Sequence, residues 1–132
     1  MASMTIEEAR IAITERMRLF KGISQDRVGY SNLSFNPPEN GLWCRLNIIF
    51  GKSLIAGLAK KPVVRRTGAI NIQCFARPNT GTKEMSILNS ALLEHFEFFS
   101  VGHLEFSEGE AVHAGTSNDF DMYNVVIGFR VN

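Results

Sequence analysis

The chain has 132 residues, 45% of them hydrophobic and 20% charged, which fits one domain able to bury its own core without disulfide staples. No run approaches the roughly eighteen apolar residues of a membrane helix, and the N-terminus, with Glu7 and Glu8, lacks the basic-then-apolar order of an export signal. A membrane role is therefore set aside and a cytoplasmic site of synthesis is expected. The net charge of +1 hides a segregation, because residues 40–83 carry eight bases and no acid whereas residues 84–132 carry eight acids against Arg130 alone. Such a chain either neutralises itself within one fold or sets the basic face of one copy against the acidic face of the next.

In chain order, Thr5 and Glu8 spell a capping box, and Ile6, Ala9, Ile13, Met17 and Phe20 recur at helical spacing, with Gly22 placed as a terminating C′ glycine. Residues 23–41 read as an irregular connection in which Phe35 anchors the approach to the next strand and Pro37-Pro38 prevents helix. "LWCRLNIIF" alternates, placing Leu42, Cys44, Leu46, Ile48 and Phe50 on one side. A second strand, "RRTGAINIQCFARP", puts Gly68, Ile70, Ile72, Cys74 and Ala76 on one side, and Thr82 then caps a helix with Met85, Leu88, Leu92, Phe96 and Phe99 as its apolar stripe. "GHLEF" and "EAVHA" read as two shorter strands. The tail aligns Tyr123, Val125, Ile127, Phe129 and Val131 on one face of a long strand. The expected fold is a single α+β domain over residues 1–132. Two helices pack on one face of a mixed, largely antiparallel sheet, in the order αββαβ(β)β with a long β-hairpin.

The stretch "IIFGKSLIAGLAKKPVVRRTGAINI" contains a Gly-Lys-Ser, yet it is not a phosphate-binding loop. Leu46 stands where the first glycine belongs, and Gly57 and Pro62 interrupt the helix that should follow. Gly-Lys-Ser reads instead as the exit from a strand, and residues 51–62 as the tip of a hairpin whose arm spans 51–66. Leu54, Ile55 and Leu58 put apolar side chains on that tip between the bases Lys52, Lys60, Lys61, Arg65 and Arg66. A basic β-ribbon can bind nucleic acid, but no aromatic residue lies between Phe50 and Phe75 to stack on bases. These eight residues read as an arm that docks on another protein chain.

No catalytic signature emerges. His95, His103 and His113 lack the short spacing of metal ligands, and Cys44 and Cys74 have no flanking base. The cysteines are expected to be free, packed thiols, possible neighbours across a sheet. A non-enzymatic protein without cofactor or metal is expected.

Several short pieces then line up in order. They are the opening amphipathic helix, Phe35-Asn36-Pro37, "WCRL" at 43–46, "RRTG" at 65–68, "FARPNTG" at 75–81 before the second helix, and the closing "VVIGFRV". In this order and spacing the chain resembles the tail terminator, or tail completion, proteins of lambda-like long-tailed bacteriophages and prophages. The resemblance implies a structural role in the virion tail, at its head-proximal end, after assembly in the bacterial cytoplasm. Such proteins form a ring, commonly a hexamer, that binds the end of the tail tube, stops its growth and supplies the surface that joins the head. The implied partners are further copies of itself, the major tail tube protein and the head-completion or connector protein, with DNA met only in passing through the lumen. A neighbouring neck or tail protein, such as a head-completion or tube protein, is the alternative reading, and a nucleic-acid-binding module a more distant one.

Overall fold

A computed structural model of the chain describes residues 4–31, 33–55, 64–116 and 119–132, with side chains described for all of these except 52–55, 64 and 65. Helix α1 (Ile6–Arg18) begins with the anticipated capping box: the Thr5 hydroxyl accepts from the Glu8 N–H and the Glu8 carboxylate accepts from the Thr5 N–H, both at 3.0 Å. Two amides that the helix itself cannot satisfy are thereby paired. Ala9, Ile13 and Met17 are fully buried, whereas Ile6 is largely exposed, so the buried stripe starts one turn later than the periodicity implies. Gly22 does not end the helix. The cap is Leu19, Gly22 is not left-handed, and a Cβ on it would fall 2.4 Å from the Phe20 ring. That glycine makes room for Phe20 to fold back onto the core, which is the physical reason for its position.

The sheet comprises β1 (Val28–Tyr30), β2 (Trp43–Ile55), β3 (Val64–Ala76), β4 (Ser100–Val101), β5 (Leu104–Thr116) and β6 (Asp121–Val131) in the spatial order β1-β2-β3-β6-β5-β4. It is curled into a half-barrel, antiparallel except where β1 runs parallel to β2. Helix α2 (Lys83–Phe96) links β3 to β4, and its Met85, Leu88, Leu92 and Phe96 join the α1 stripe over one face of the sheet. From the sheet, Cys44, Leu46, Ile70, Ile72, Cys74, Leu104, Phe106, Val125, Ile127, Phe129 and Val131 complete a single core. The α+β class and the mixed sheet under two helices are thus as the residue pattern indicates. Cys44 and Cys74 face each other across β2 and β3 as free, buried thiols.

Four local expectations are corrected. The segment 23–41 holds a 3-10 turn (Gln25–Arg27) and β1, a strand too short to show periodicity, pinned where Gly29 lets the Phe35 ring approach to 3.1 Å of where a Cβ would stand. "GHLEF" and "EAVHA" belong to one strand, β5, because register irregularities at Phe106/Gly109 and His113/Gly115 break its alternation. Gly51-Lys52-Ser53 lies inside β2, where a similar irregularity between Phe50 and Ser53 disguises the continuation, and is not the strand's exit. Thr82 does occupy the N-cap of α2, but with ψ of −5° its hydroxyl makes no capping hydrogen bond, and its carbonyl accepts from the Ser86 N–H instead.

Candidate assembly surfaces

The hairpin of β2 and β3 extends past its neighbour β6. The last row shared with β6 is Arg66 opposite Val131, while Leu54–Arg65 and Ile55–Val64 pair beyond it. Lys52, Leu54 and Ile55 therefore lie on β2 and Arg65 and Arg66 on β3, with Arg66 exposed. Leu58, Lys60 and Lys61 lie outside the described residues, so the structure brings together five of the eight residues expected there through their backbones.

At the opposite corner, the second hairpin, β5 and β6, carries the acids. Glu108 and Glu110 are exposed, and β5 from Ala111 to Thr116 is exposed on both faces, so that half of the strand is held by β6 alone. Ion pairs among the described residues include Glu7–Arg10, Glu105–Arg130 and His113–Asp121, and none of these joins Arg45, Arg77 or Lys83 to an acid of the last third. Neutralisation within the fold is thus a minor theme for these three bases. Asp121 accepts from both His113 (2.7 Å) and Thr116 (2.8 Å) at the foot of the hairpin, and these bonds, His113 first, lower its pKa.

The sheet face turned away from the helices was not singled out in the sequence. Its middle is lined with amides: Asn47 pairs in register with Asn71, and Gln73 with Asn124. The Ser31 hydroxyl donates to Asn47 Oδ1 at 2.8 Å and Asn47 Nδ2 donates to Gln73 Oε1 at 3.2 Å, while Asn71 Oδ1 and Asn124 Oδ1 are buried and unpaired among the described residues. Uncharged amides that keep spare hydrogen-bonding capacity suit a wetted surface better than a dry interface. One end of this face is closed by Trp43, which stacks on Phe75 at 5.3 Å with Phe120 edge-on to both. The Arg77 guanidinium lies 4.8 Å from the Trp43 ring centre and donates to the carbonyls of Pro38, Glu39 and Asp119, tying two loops to the cluster. The signal existed in the alternation, since Trp43 and Phe75 both fall on the non-core side of their strands. Their pairing required the register.

Phe98, just after α2, is a further feature that periodicity misses. It has φ of 60° and is 74% exposed, a conformation that costs a bulky residue energy and here displays the ring to solvent. It borders a cavity of about 590 Å³ lined also by Phe99, Thr67, Glu105, Ser107 and Arg130.

Four titratable groups, Arg16, His95, Cys44 and Cys74, serve the packing of the core and helices. His95 and Arg16 clasp the two helices, His95 Nε2 lying 2.7 Å from the Arg16 carbonyl and the Arg16 guanidinium donating to the His95 carbonyl at 2.6 Å, and burial lowers the His95 pKa. Burial pushes Cys44 up to about 12 and Cys74 well above its usual range, the opposite of an activated nucleophile. Among the described residues no group of three or more His, Cys, Asp or Glu side chains could hold a metal ion, and no helix is long and apolar enough to cross a membrane.

A half-barrel sheet with helices on one face, an amide-lined opposite face and two long hairpins, one basic and one acidic, defines a small α+β protein. Its fold is similar to that of a solved structure that bears no functional name, with a TM-score of 0.75 and 16% identity over 98% of this chain and 96% of that one. No protein-family model and no curated protein matches the chain.

Proposed function

We propose that this protein is a tail terminator of a long-tailed bacteriophage or prophage. In this reading it forms a ring, of six copies as in the proteins it resembles, on the end of the tail tube, stops tube polymerisation and offers the opposite surface for joining the head. The observation that carries the reading is the pairing of a basic β2–β3 arm with an acidic β5–β6 hairpin at opposite ends of one curled sheet. A head-to-tail contact repeated around an axis uses two different surfaces of each copy. The resemblance of the ordered motifs, from the capping box to "VVIGFRV", supports the same role. With the helices outward, the amide face of each copy lines the lumen, where Asn47, Asn71, Gln73 and Asn124 present no cluster of cations to passing DNA. The partners are then other copies, the tube protein and a head-completion or connector protein. The protein works in the virion, without cofactor or catalysis.

The test is tube growth. Purified major tail tube protein of the same phage is allowed to polymerise while light scattering is followed, with and without this protein at a small fraction of the tube subunit concentration. Arrest of growth at that fraction is expected. Incorporation along the whole tube would assign a tube role instead, and binding to heads with no effect on tube growth would assign a head-completion role.

A further inference from the structure

We infer that the contact between neighbouring copies is made through the sheet itself, the free edge of β2 in one copy adding to the free edge of β5 in the next. This deepens the ring reading above and rests on it for the closed form, although the edges are properties of the single chain.

The outermost long strands, β2 and β5, are covered at one end by the short edge strands and bare at the other. β1 pairs with β2 only over Cys44–Leu46, with Ser31 adding one bond to the Leu46 carbonyl. Among the described residues nothing pairs with the backbone of Asn47–Ile55 on that side. On the other flank β4 covers Leu104 and Glu105, Phe98 and Phe99 bond Ser107 and Phe106, and the Glu97 carboxylate accepts from the Gly109 N–H at 2.8 Å, after which Glu110–Thr116 is bare on its outer side among the described residues. The bare stretches are nine residues long on β2 and seven on β5. Rows of alternate N–H and C=O groups left on long, uncovered edges are templates for another strand.

The occupant is a second copy because charges and geometry agree. The β2 side carries Lys52 and, one strand in, Arg65 and Arg66, whereas the β5 side carries Glu108 and Glu110. Along the sheet β2 and β5 run in opposite directions, so in a ring whose axis follows the strands the new pair is antiparallel. The bare part of β2 lies near the β3 end opposite Val131, and the bare part of β5 near the row of Asp121, so centring one on the other staggers successive copies by about six residues, ~20 Å along the strands. Spread over the four long strands, ~19 Å across, that stagger is a strand tilt of roughly 45°, the value closed barrels use. In this stagger β1 of one copy and β4 of its neighbour fall beyond the two ends of the new pair and do not collide with it.

The test uses the purified full chain. Hydrogen exchange is measured on dilute protein and on protein concentrated towards its solubility limit, alongside sedimentation. The expected result is assembly with at least tenfold slower exchange at alternate amides of 47–55 and of 110–116. Two charge-reversed variants follow, Glu108→Lys with Glu110→Lys, and Lys52→Glu with Arg66→Glu, each checked for fold by circular dichroism. Alone, each makes every junction like-charged and should sediment as monomer. Mixed in equal amounts they restore assembly with the two variants alternating. A protein that stays monomeric at all concentrations overturns the inference, as does assembly with no protection at either edge, or variants that assemble alone as well as the wild type. Protection confined to 47–55 would mean two-fold β2–β2 pairing and would equally overturn it. If these results hold while tube growth is unaffected, the terminator reading fails and the edge pairing stands.

Discussion

Gly68 sits where the sheet leaves no room for a side chain. A Cβ there would lie 2.3 Å from the Ile49 carbonyl oxygen and 2.7 Å from the tip of the Phe129 ring. The nearer atom belongs to the backbone of β2, so relief requires β2 and β3 to separate by almost an ångström at the base of the arm, next to the irregularity between Phe50 and Ser53. Overpacking of this kind costs about 1–3 kcal/mol, and the loss of glycine's unfolded-state freedom returns only about 0.4–1 kcal/mol. For Gly68→Ala we therefore expect a net loss of about 1.3 kcal/mol. With an unfolding entropy of roughly 2.1 cal/mol/K per residue, 132 residues give about 0.28 kcal/mol/K, so the melting temperature should fall by about 5 °C. Gly128→Ala is the control. Its Cβ would meet the Gly68 carbonyl oxygen at an ordinary 3.9 Å and the Ser107 hydroxyl at 3.1 Å, a group that can turn aside at the cost of its exposed hydrogen bond to the Gly128 carbonyl, and a fall of under about 2 °C is expected. Thermal melts by circular dichroism at one low protein concentration compare the two. Equal melting temperatures for the wild type and both variants would refute such close packing at the root of the arm.

Phe98→Gly should stabilise the isolated chain by about 1 kcal/mol, since it relieves a left-handed conformation, measured by urea unfolding. If the exposed ring is an assembly contact, the same variant should weaken tube capping, and a less stable chain would contradict the strain at this position. Cys44 and Cys74 should not react with Ellman's reagent at pH 8 until the protein is unfolded. Because their folded pKa values are raised, their contribution to stability is complete below the ordinary thiol pKa and should be lost as pH climbs from about 9 towards 12. Rapid labelling of the native protein, or a melting temperature flat across that window, would place the thiols nearer to solvent. Leu54→Asp with Leu58→Asp should leave the circular dichroism spectrum intact and abolish tube capping, because each buried contact of the arm would gain an unpaired charge. Normal tails assembled with that variant would remove the arm from the interface.

Much of the fold was legible because its elements are long relative to their periods. The capping box at Thr5, the stripes of α1 and α2, and the alternation through Val125, Ile127 and Phe129 each repeat often enough to identify both element and face. Signals failed where one residue interrupts the period. The irregularities beside Gly109 and Gly115 divided β5 into two apparent strands, and the one at Gly51 hid the continuation of β2. β1 is three residues long and owes its place to a parallel partner and to Phe35, neither of which alternation reports. For the surfaces, the charge segregation was visible as composition, but its arrangement on two hairpins at opposite corners needed the strand order. So did the Trp43, Phe75 and Arg77 cluster and the amide row, which exist only once β3 is set in register between β2 and β6.

A terminator role is tested most directly by electron microscopy of tail tubes, assembled from the major tube protein of the same phage, after incubation with this protein. A single ring of density is expected at one end of each tube, absent when the protein is omitted, on tubes that no longer elongate when more tube subunits are added. Bare tube ends that continue to grow, with the protein in excess and folded, would contradict that role.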